Sequence, residues 1–374
     1  MAGSKSVRVL HVVLSLEQGG MENGVVNVAN RLDPEAFDVQ FCCLATRGEF
    51  ADRLIRNGDC IDVLGKPPGK SLRTVWRLMN AIRRVKPDVV HTHNLATLIY
   101  AAPATWWGRS VPLLHGVHSE MPEEEQTAKR LALRRRFYGA AKSVQTVTIG
   151  LTRHLEALGL NNREIATVTN GVDTTVFRPD QHCTLRAELG IAESAFVVGM
   201  VARFGAYKRH EAALAAFDEL AGEFPDFHLV FVGGSGPRKE AVEARRAASQ
   251  FSDRVHLAGF RSLPAEVYPA FNVLAIPSIR EGLSNAALEA MASGVPVLTN
   301  AACGAADAVT HGADGWIADL TDHKQFVAAL RDALLAREQN AEFATRARAV
   351  VIERFSMKSM VAGYGDLYRR IADG

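Results

Sequence analysis

At 374 residues, with 48% hydrophobic and 22% charged side chains, the chain has the balance of a soluble globular protein and the length for two cores rather than one. A formal net charge of only +2 offers no general attraction for nucleic acid. The five cysteines (Cys42, Cys43, Cys60, Cys183, Cys303) stand at no metal-ligand spacing and read as reduced thiols of a cytosolic protein. The apolar run 7–16 is too short for a membrane span and is broken by Arg8 and His11, so neither a transmembrane helix nor a leader peptide is expected.

Apolar, β-rich runs predict strands at 7–14, 39–44, 89–92, 113–117 and 144–148, then at 196–201, 228–232, 255–257, 273–276, 295–298 and 316–317. Helical periodicity predicts helices between them, including 21–31, 71–85, 127–140 and 210–224. This alternation implies parallel sheets covered on both faces, in two doubly wound blocks whose ligands bind beyond the carboxyl ends of the strands. The turn Asn170-Gly171 and the polar stretch from Pro179 mark a boundary, giving domains 1–172 and 173–356. A last helix, 357–371, carries Met360, Tyr364, Leu367 and Ile371 on one face and can finish either block.

In the first block, Gly19-Gly20 follows the first strand. Two glycines admit a ligand close to the backbone, or simply turn the chain into a helix. Glu17 on the same loop faces either a second substrate or, as is commoner for such a residue, solvent. His91 and His93 flank a single residue at a strand end, with no further ligand at metal spacing, so no metal site is expected. His91 and His115 read as core residues, while His93 and Asn94 are weaker loop candidates. His118 stands just past a strand, where it can position a hydroxyl or move a proton, or rest as a satisfied loop residue. The run Gly65-Lys-Pro-Pro-Gly-Lys-Ser71 imitates a P-loop but is one residue short and has two prolines where amide donors are needed. Residues 129–138 concentrate five positive charges among apolar residues. They suit the surface of an anionic membrane as well as a solvated helix face, and Trp106-Trp107 fits either core or membrane edge.

In the second block, Arg203 and Lys208 share a strand-to-helix loop with Gly205; Arg209 is an alternative. A guanidinium fork and a compact ammonium together suit a diphosphate, and the same pair also suits open solvent. Val232-Gly-Gly-Ser-Gly-Pro237 is a glycine-rich turn without the full dinucleotide fingerprint, either nucleotide-facing through Ser235 or merely tight. The most informative stretch is 277–298, PSIREGLSNAALEAMASGVPVL. It sets Glu281 on a loop after a strand and Glu289 on the following helix. Between them the amides of Gly282, Leu283, Ser284 and Asn285 stand at a helix N-terminus, which attracts phosphate. A phosphate cradle with a carboxylate on either side suits a sugar joined to a nucleoside through a diphosphate.

Glu281 and Glu289, with Gly282 and the MASGVPV tail, match the Glu-x7-Glu signature, and the segment resembles retaining glycosyltransferases of family 4 (group 1), in wording most like those of bacterial exopolysaccharide synthesis. The resemblance implies the GT-B fold, α/β, with two Rossmann-like domains facing across a cleft and the final helix returned to the first domain. It implies transfer of a hexose from a nucleotide-diphosphate donor to a glycan, lipid-linked or small-molecule acceptor. By the same resemblance Arg203 and Lys208 stabilise the leaving diphosphate, Glu281 and the amides behind it orient the sugar, Glu289 holds the ribose, and His118 contacts the donor sugar. Gly19 and Gly20 face the donor, while Phe260 and Arg261, in a segment like that which reads the nucleobase, complete the set. The chain contains no Asp-x-Asp, and neither metal nor resident cofactor is expected. Rival readings on the same fold are a nucleotide-sugar epimerase or hydrolase, which needs no acceptor, and a non-catalytic nucleotide-sugar sensor.

Overall fold

The computed structural model of the protein describes residues 6–55, 61–108, 110–161, 163–262, 264–279 and 282–373. The chain forms two compact units, one running to Asn170 and resuming at Lys358, the other spanning Gly171–Met357.

The first unit holds β1 (Val7–Val13), α1 (Gly20–Arg31), β2 (Phe37–Cys43), β3 (Ile61–Val63), α2 (Leu72–Val85), β4 (Val89–His93), α3 (Asn94–Gly108), β5 (Leu113–Val117), α4 (Ala128–Tyr138), β6 (Ser143–Thr146), α5 (Ile149–Ala157) and β7 (Glu164–Thr167). The strands make a parallel sheet in the order β3-β2-β1-β4-β5-β6-β7. β4 and β5 are buried along their whole length, as central parallel strands covered on both faces must be. The P-loop imitation lies after β3; its Ser71 caps α2 by accepting from the amide of Thr74 at 3.2 Å.

The second unit begins with α6 (Leu185–Glu188) and continues through β8 (Phe196–Val201), α7 (His210–Leu220), β9 (Phe227–Val232), α8 (Lys239–Ala247), β10 (Val255–Gly259), β11 (Val273–Ile276), α9 (Asn285–Ala292), β12 (Val297–Asn300), β13 (Gly315–Ala318), α10 (His323–Leu335) and α11 (Asn340–Arg354). Its parallel strands run β10-β9-β8-β11-β12-β13. Side-chain alternation divides β8 between two cores: Val197 packs with Val230, Leu274 and Leu288, whereas Val198 and Met200 pack with Phe231, Phe217 and Phe326. The last helix, α12 (Met357–Asp373), packs on the first unit through Met360, Tyr364, Leu367, Tyr368 and Ile371, all buried.

Two strands escaped the pattern. β3 is three residues long and half-exposed, and β7 (Glu-Ile-Ala-Thr) is an edge strand with no buried residue, so neither carries an apolar run. β12 starts at Val297 rather than 295, because Val295 still closes α9 by donating to the carbonyl of Ala290.

Candidate active site

In each sheet the crossovers reverse direction beside the first strand, between β1 and β4 in one unit and between β8 and β11 in the other. Loops leaving the carboxyl ends of those strands meet there, and this is where doubly wound sheets bind ligands.

In the second unit the loop after β8 carries Arg203 and Lys208, and the loop after β11 leads into α9. A hydrogen bond from the amide of Ile279 to the carbonyl of Tyr207 (3.1 Å) ties the two loops together. Lys208, Pro277, Ser278, Ser284 and Ala286 line one small depression over the ends of β8 and β11. The exposed Arg203 guanidinium has no hydrogen-bond or ion-pair partner among the described residues. Arg209 is committed elsewhere: its guanidinium donates to the carbonyls of Leu320 and Thr321 and so braces the turn into α10.

Ser284 is the N-cap of α9 in extended conformation (φ −69°, ψ 121°), but its hydroxyl makes no capping hydrogen bond. Ser284 thus occupies the cap position, where serine is favoured, without its side chain bonding the first turn. Gly282 and Leu283 lead into this cap, and Glu281 lies outside the described residues. The neighbouring turn holds the cradle in shape. Asn300 at the end of β12 is buried and donates to the carbonyl of Ser278 at 3.0 Å. The backbone of Gly304 is so close that a Cβ there would lie 2.6 Å from the carbonyl carbon of Gly282 and 2.8 Å from the nitrogen of Leu283.

Glu289, in the second turn of α9, is half-buried and accepts a 2.6 Å hydrogen bond from the hydroxyl of the fully buried Tyr268. Desolvation raises its carboxyl to about 7, with the Tyr268 hydrogen bond pulling the other way. Tyr268, driven up by burial and by Glu289, stays protonated.

The remaining second-unit candidates divide. The glycine-rich turn after β9 packs on the Arg203 loop: Phe204 donates its amide to the carbonyl of Ser235 (2.9 Å), and a Cβ at Gly236 (φ 143°) would sit 2.4 Å from the carbonyl oxygen of Phe204. The Ser235 side chain is exposed. Phe260 is 64% exposed beside Gly234. Arg261, by contrast, pairs with Glu188 at 2.8 Å and donates to the carbonyl of Ala258, so its side chain is spent in a separate polar cavity shared with Thr184 and Glu266.

In the first unit Gly19 is the N-cap of α1 and Gly20 its first residue, at the carboxyl end of β1. Glu17 is exposed and accepts from the hydroxyl of Thr46. Asn94 caps α3, its side chain accepting from the amide of Ala96. His118 is half-buried just past β5, and His91 and His115 are fully buried. The expectation that His91 and His93 have no third companion is corrected: β1 brings His11 beside them, and nitrogens of the three rings lie within 4.8 Å of one another, close enough to share a metal ion. The three are also joined by hydrogen bonds to each other and to Tyr368 of α12. Tyr368, like Tyr268, Asn300 and Gly304, went unnoticed in the sequence, and His11 stood out only as a polar break in the apolar run of β1.

The basic stretch also proves partly structural. Arg134 pairs with Glu125 at 2.5 Å, and Arg135 donates to the carbonyls of Leu158 and Gly159 after α5. Lys129, Arg130 and Arg136 remain exposed on α4. Trp106 (80% exposed), Trp107 (63%), Leu133, Phe137 and Arg136 line one open apolar recess of about 770 Å³. Among the described residues no helix is long and apolar enough to cross a membrane.

Comparison with known proteins gives the site its setting. The profile described as glycosyltransferase family 4 matches residues 18–176, and that of glycosyl transferases group 1 matches residues 183–350. A putative glycosyltransferase, EpsF, of Bacillus subtilis is 28% identical over 330 residues, covering 85% of this chain and 84% of its own. A D-inositol 3-phosphate glycosyltransferase of a Nocardioides species is 28% identical over 76% of this chain, an alignment spanning about two thirds (67%) of that relative's length. Among solved structures, Anabaena Alr3699/HepE, crystallised with UDP and glucose, superposes with a TM-score of 0.85 at 20% identity, over 97% of this chain and 99% of its own. Both halves of the chain thus match the two halves of one family, and the protein belongs to the group 1 glycosyltransferases of family 4.

Proposed function

We propose that the protein transfers a hexose from a nucleotide-diphosphate donor to an acceptor hydroxyl, with retention at the anomeric carbon and without a metal ion. The bond from C1 to the diphosphate oxygen breaks, a bond from C1 to the acceptor oxygen forms, and nucleoside diphosphate and a proton are released. The observation that carries this reading is the meeting of Lys208 and the N-terminus of α9 over the switch point of the second sheet, with Arg203 on the same loop as Lys208. Fixed cations and amide dipoles stabilise charge as it develops on the departing diphosphate. Glu289 supplies a carboxylate for ribose hydroxyls, Glu281 and the amides of Gly282 to Asn285 orient the sugar and diphosphate, and the backbone around Phe260 faces the base. In the first unit Gly19 and Gly20 let the donor approach the chain closely, and His118 orients the sugar. The structural relative solved with UDP and glucose and a relative named as a UDP-galactose transferase acting on a diphosphoundecaprenol-linked sugar both favour a nucleotide-sugar donor.

That second relative also supports a lipid-linked acceptor, with exopolysaccharide or glycoconjugate synthesis as the setting. A protein working on such an acceptor at the inner face of the membrane gains from the recess of Trp106, Trp107 and Leu133 beside exposed Lys129, Arg130 and Arg136, which fits the headgroup zone of an anionic bilayer.

The test is a panel of radiolabelled nucleotide sugars incubated with and without a membrane extract containing acceptors. Label moving into product only with extract is the expected result, and NMR of the product gives the anomeric configuration. Rapid conversion of donor alone favours an epimerase or hydrolase, and binding without turnover favours a sensor.

A further inference from the structure

Five histidines crowd the centre of the first sheet, and four of them form one unbroken hydrogen-bonded line with Tyr368. The Tyr368 hydroxyl lies 2.9 Å from His91 Nδ1 and 3.4 Å from His11 Nε2. His11 Nδ1 lies 2.9 Å from His93 Nε2, and His93 Nδ1 lies 3.0 Å from His118 Nε2. Burial holds His11, His91, His93 and His118 well below the ordinary histidine range, so at neutral pH every ring carries one proton and offers one lone pair. A line of such rings has only two consistent polarities, and choosing one fixes every tautomer.

The choice is made at Gly116. A Cβ on this residue would lie 3.2 Å from His91 Nε2, 3.2 Å from Gln145 Oε1 and 2.9 Å from His118 Nε2, so these three atoms face one gap above its α-carbon. Both His91 Nε2 and Gln145 Oε1 are buried without a partner among the described residues. The Gln145 amide is not free to flip, because its nitrogen donates to the carbonyls of Thr146 (2.6 Å) and Val168 (3.1 Å), leaving oxygen towards the gap. If Tyr368 gave its proton to His11, His91 Nε2 would be bare, and its lone pair would share the buried gap with those of Gln145 Oε1, while His118 Nε2 is engaged by His93 in either polarity. If Tyr368 gives its proton to the nearer His91, His91 Nε2 carries hydrogen and shares the gap with a carbonyl oxygen, and His118 Nε2–H donates to His93 Nδ1.

We propose that Tyr368, acting through His11 and His93, holds His118 as its Nε2–H tautomer, so that the bare Nδ1 is the atom offered to a ligand hydroxyl. Tyr368, His11 and His93 are positioning residues, and α12 thereby reaches the site after β5. His118 then accepts a hydrogen bond from the sugar and does not donate one. This last step rests on the reading that His118 faces the donor.

Long-range nitrogen–proton NMR on protein labelled at histidine reads each tautomer directly. The expected spectrum shows His118 protonated at Nε2 and bare at Nδ1, and Tyr368→Phe, which removes both the proton given to His91 and the oxygen accepting from His11, turns His118 into a mixture. If the two tautomers become equally populated, kcat/KM for the donor falls about twofold, since half the molecules are competent. In a His118→Asn background, where an amide replaces the imidazole, the same change at Tyr368 has no further effect. His118 protonated at Nδ1, or an unaltered tautomer in Tyr368→Phe, overturns the proposal. So does a stoichiometric metal in the purified protein held by His11, His91 and His93, since it would occupy their lone pairs. Should Tyr368→Phe not fold, the wild-type spectrum decides alone. A His118→Ala protein that binds donor normally would refute the donor-facing reading while leaving the tautomer result standing.

Discussion

Glu289 gives the sharpest prediction, because its desolvated carboxyl is held at about 7. The sign differs for folding and for binding. A carboxyl raised on folding adds stability that is complete below its unfolded value near 4.5 and is lost as pH rises through about 7. A ligand whose ribose hydroxyls donate to the carboxylate prefers the ionised form, so donor affinity moves the opposite way and climbs with pH. With a midpoint at about 7, ionisation runs from about 9% at pH 6 to about 91% at pH 8, so affinity should improve roughly tenfold over that interval, or about 1.4 kcal/mol. Calorimetric titration with a nucleotide sugar is the assay, because its diphosphate is esterified at both ends and does not titrate in this window. His118, pushed down to about 4, is silent there as well. Glu289→Gln should bind weakly and without pH dependence. A flat wild-type affinity between pH 6 and pH 8 refutes the ribose role.

Arg203→Ala or Lys208→Ala should each lower kcat on the order of 10²-fold if fixed cations stabilise the leaving diphosphate, as measured under saturating donor, and near-normal rates in both would remove that role. Gly304→Ala forces a Cβ against the backbone of Gly282 and Leu283, so donor affinity should fall while thermal unfolding of the second unit shifts only modestly; unchanged donor binding would show that the cradle tolerates displacement. In the first unit, His11 and His115 are held at about 3 by burial. A depressed histidine stabilises the fold above its unfolded value near 6.5 and loses that contribution as pH falls, by roughly 2 kcal/mol each at pH 5. Hydrogen exchange of peptides from β4, β5 and α12, corrected for intrinsic rate, should therefore accelerate between pH 7 and pH 5. Vesicles rich in anionic lipid should sediment the protein in a salt-sensitive manner that weakens in a Trp106→Ser, Trp107→Ser variant; an absence of binding would return α4 to a solvated face.

The architecture was legible because central parallel strands are buried on both faces and therefore read as apolar runs, as in 113–117, 196–201 and 273–276, which the structure reproduces residue for residue. Edge strands β3 and β7 were not, since half-exposed residues carry no such run. In the site, glycine and charge spacing pointed to Arg203, Lys208 and α9. Nothing in residue order indicated that Arg261 would be taken by Glu188, or Arg209 by the carbonyls before α10, because those partners come from distant segments. For the same reason Tyr268, Asn300 and Tyr368 gave no warning: each acts on a residue between 21 and 357 positions away, and only folding brings the pair together.

The central claim is that fixed cations and a helix N-terminus, rather than a divalent ion, hold the donor's diphosphate. Its most direct measurement is the dissociation constant of a nucleoside diphosphate in the presence of EDTA, for the wild type and for an Arg203→Ala, Lys208→Ala variant. The account predicts binding that survives chelation in the wild type and collapses in the variant. Binding that needs added magnesium or manganese, or that is the same in both proteins, contradicts it.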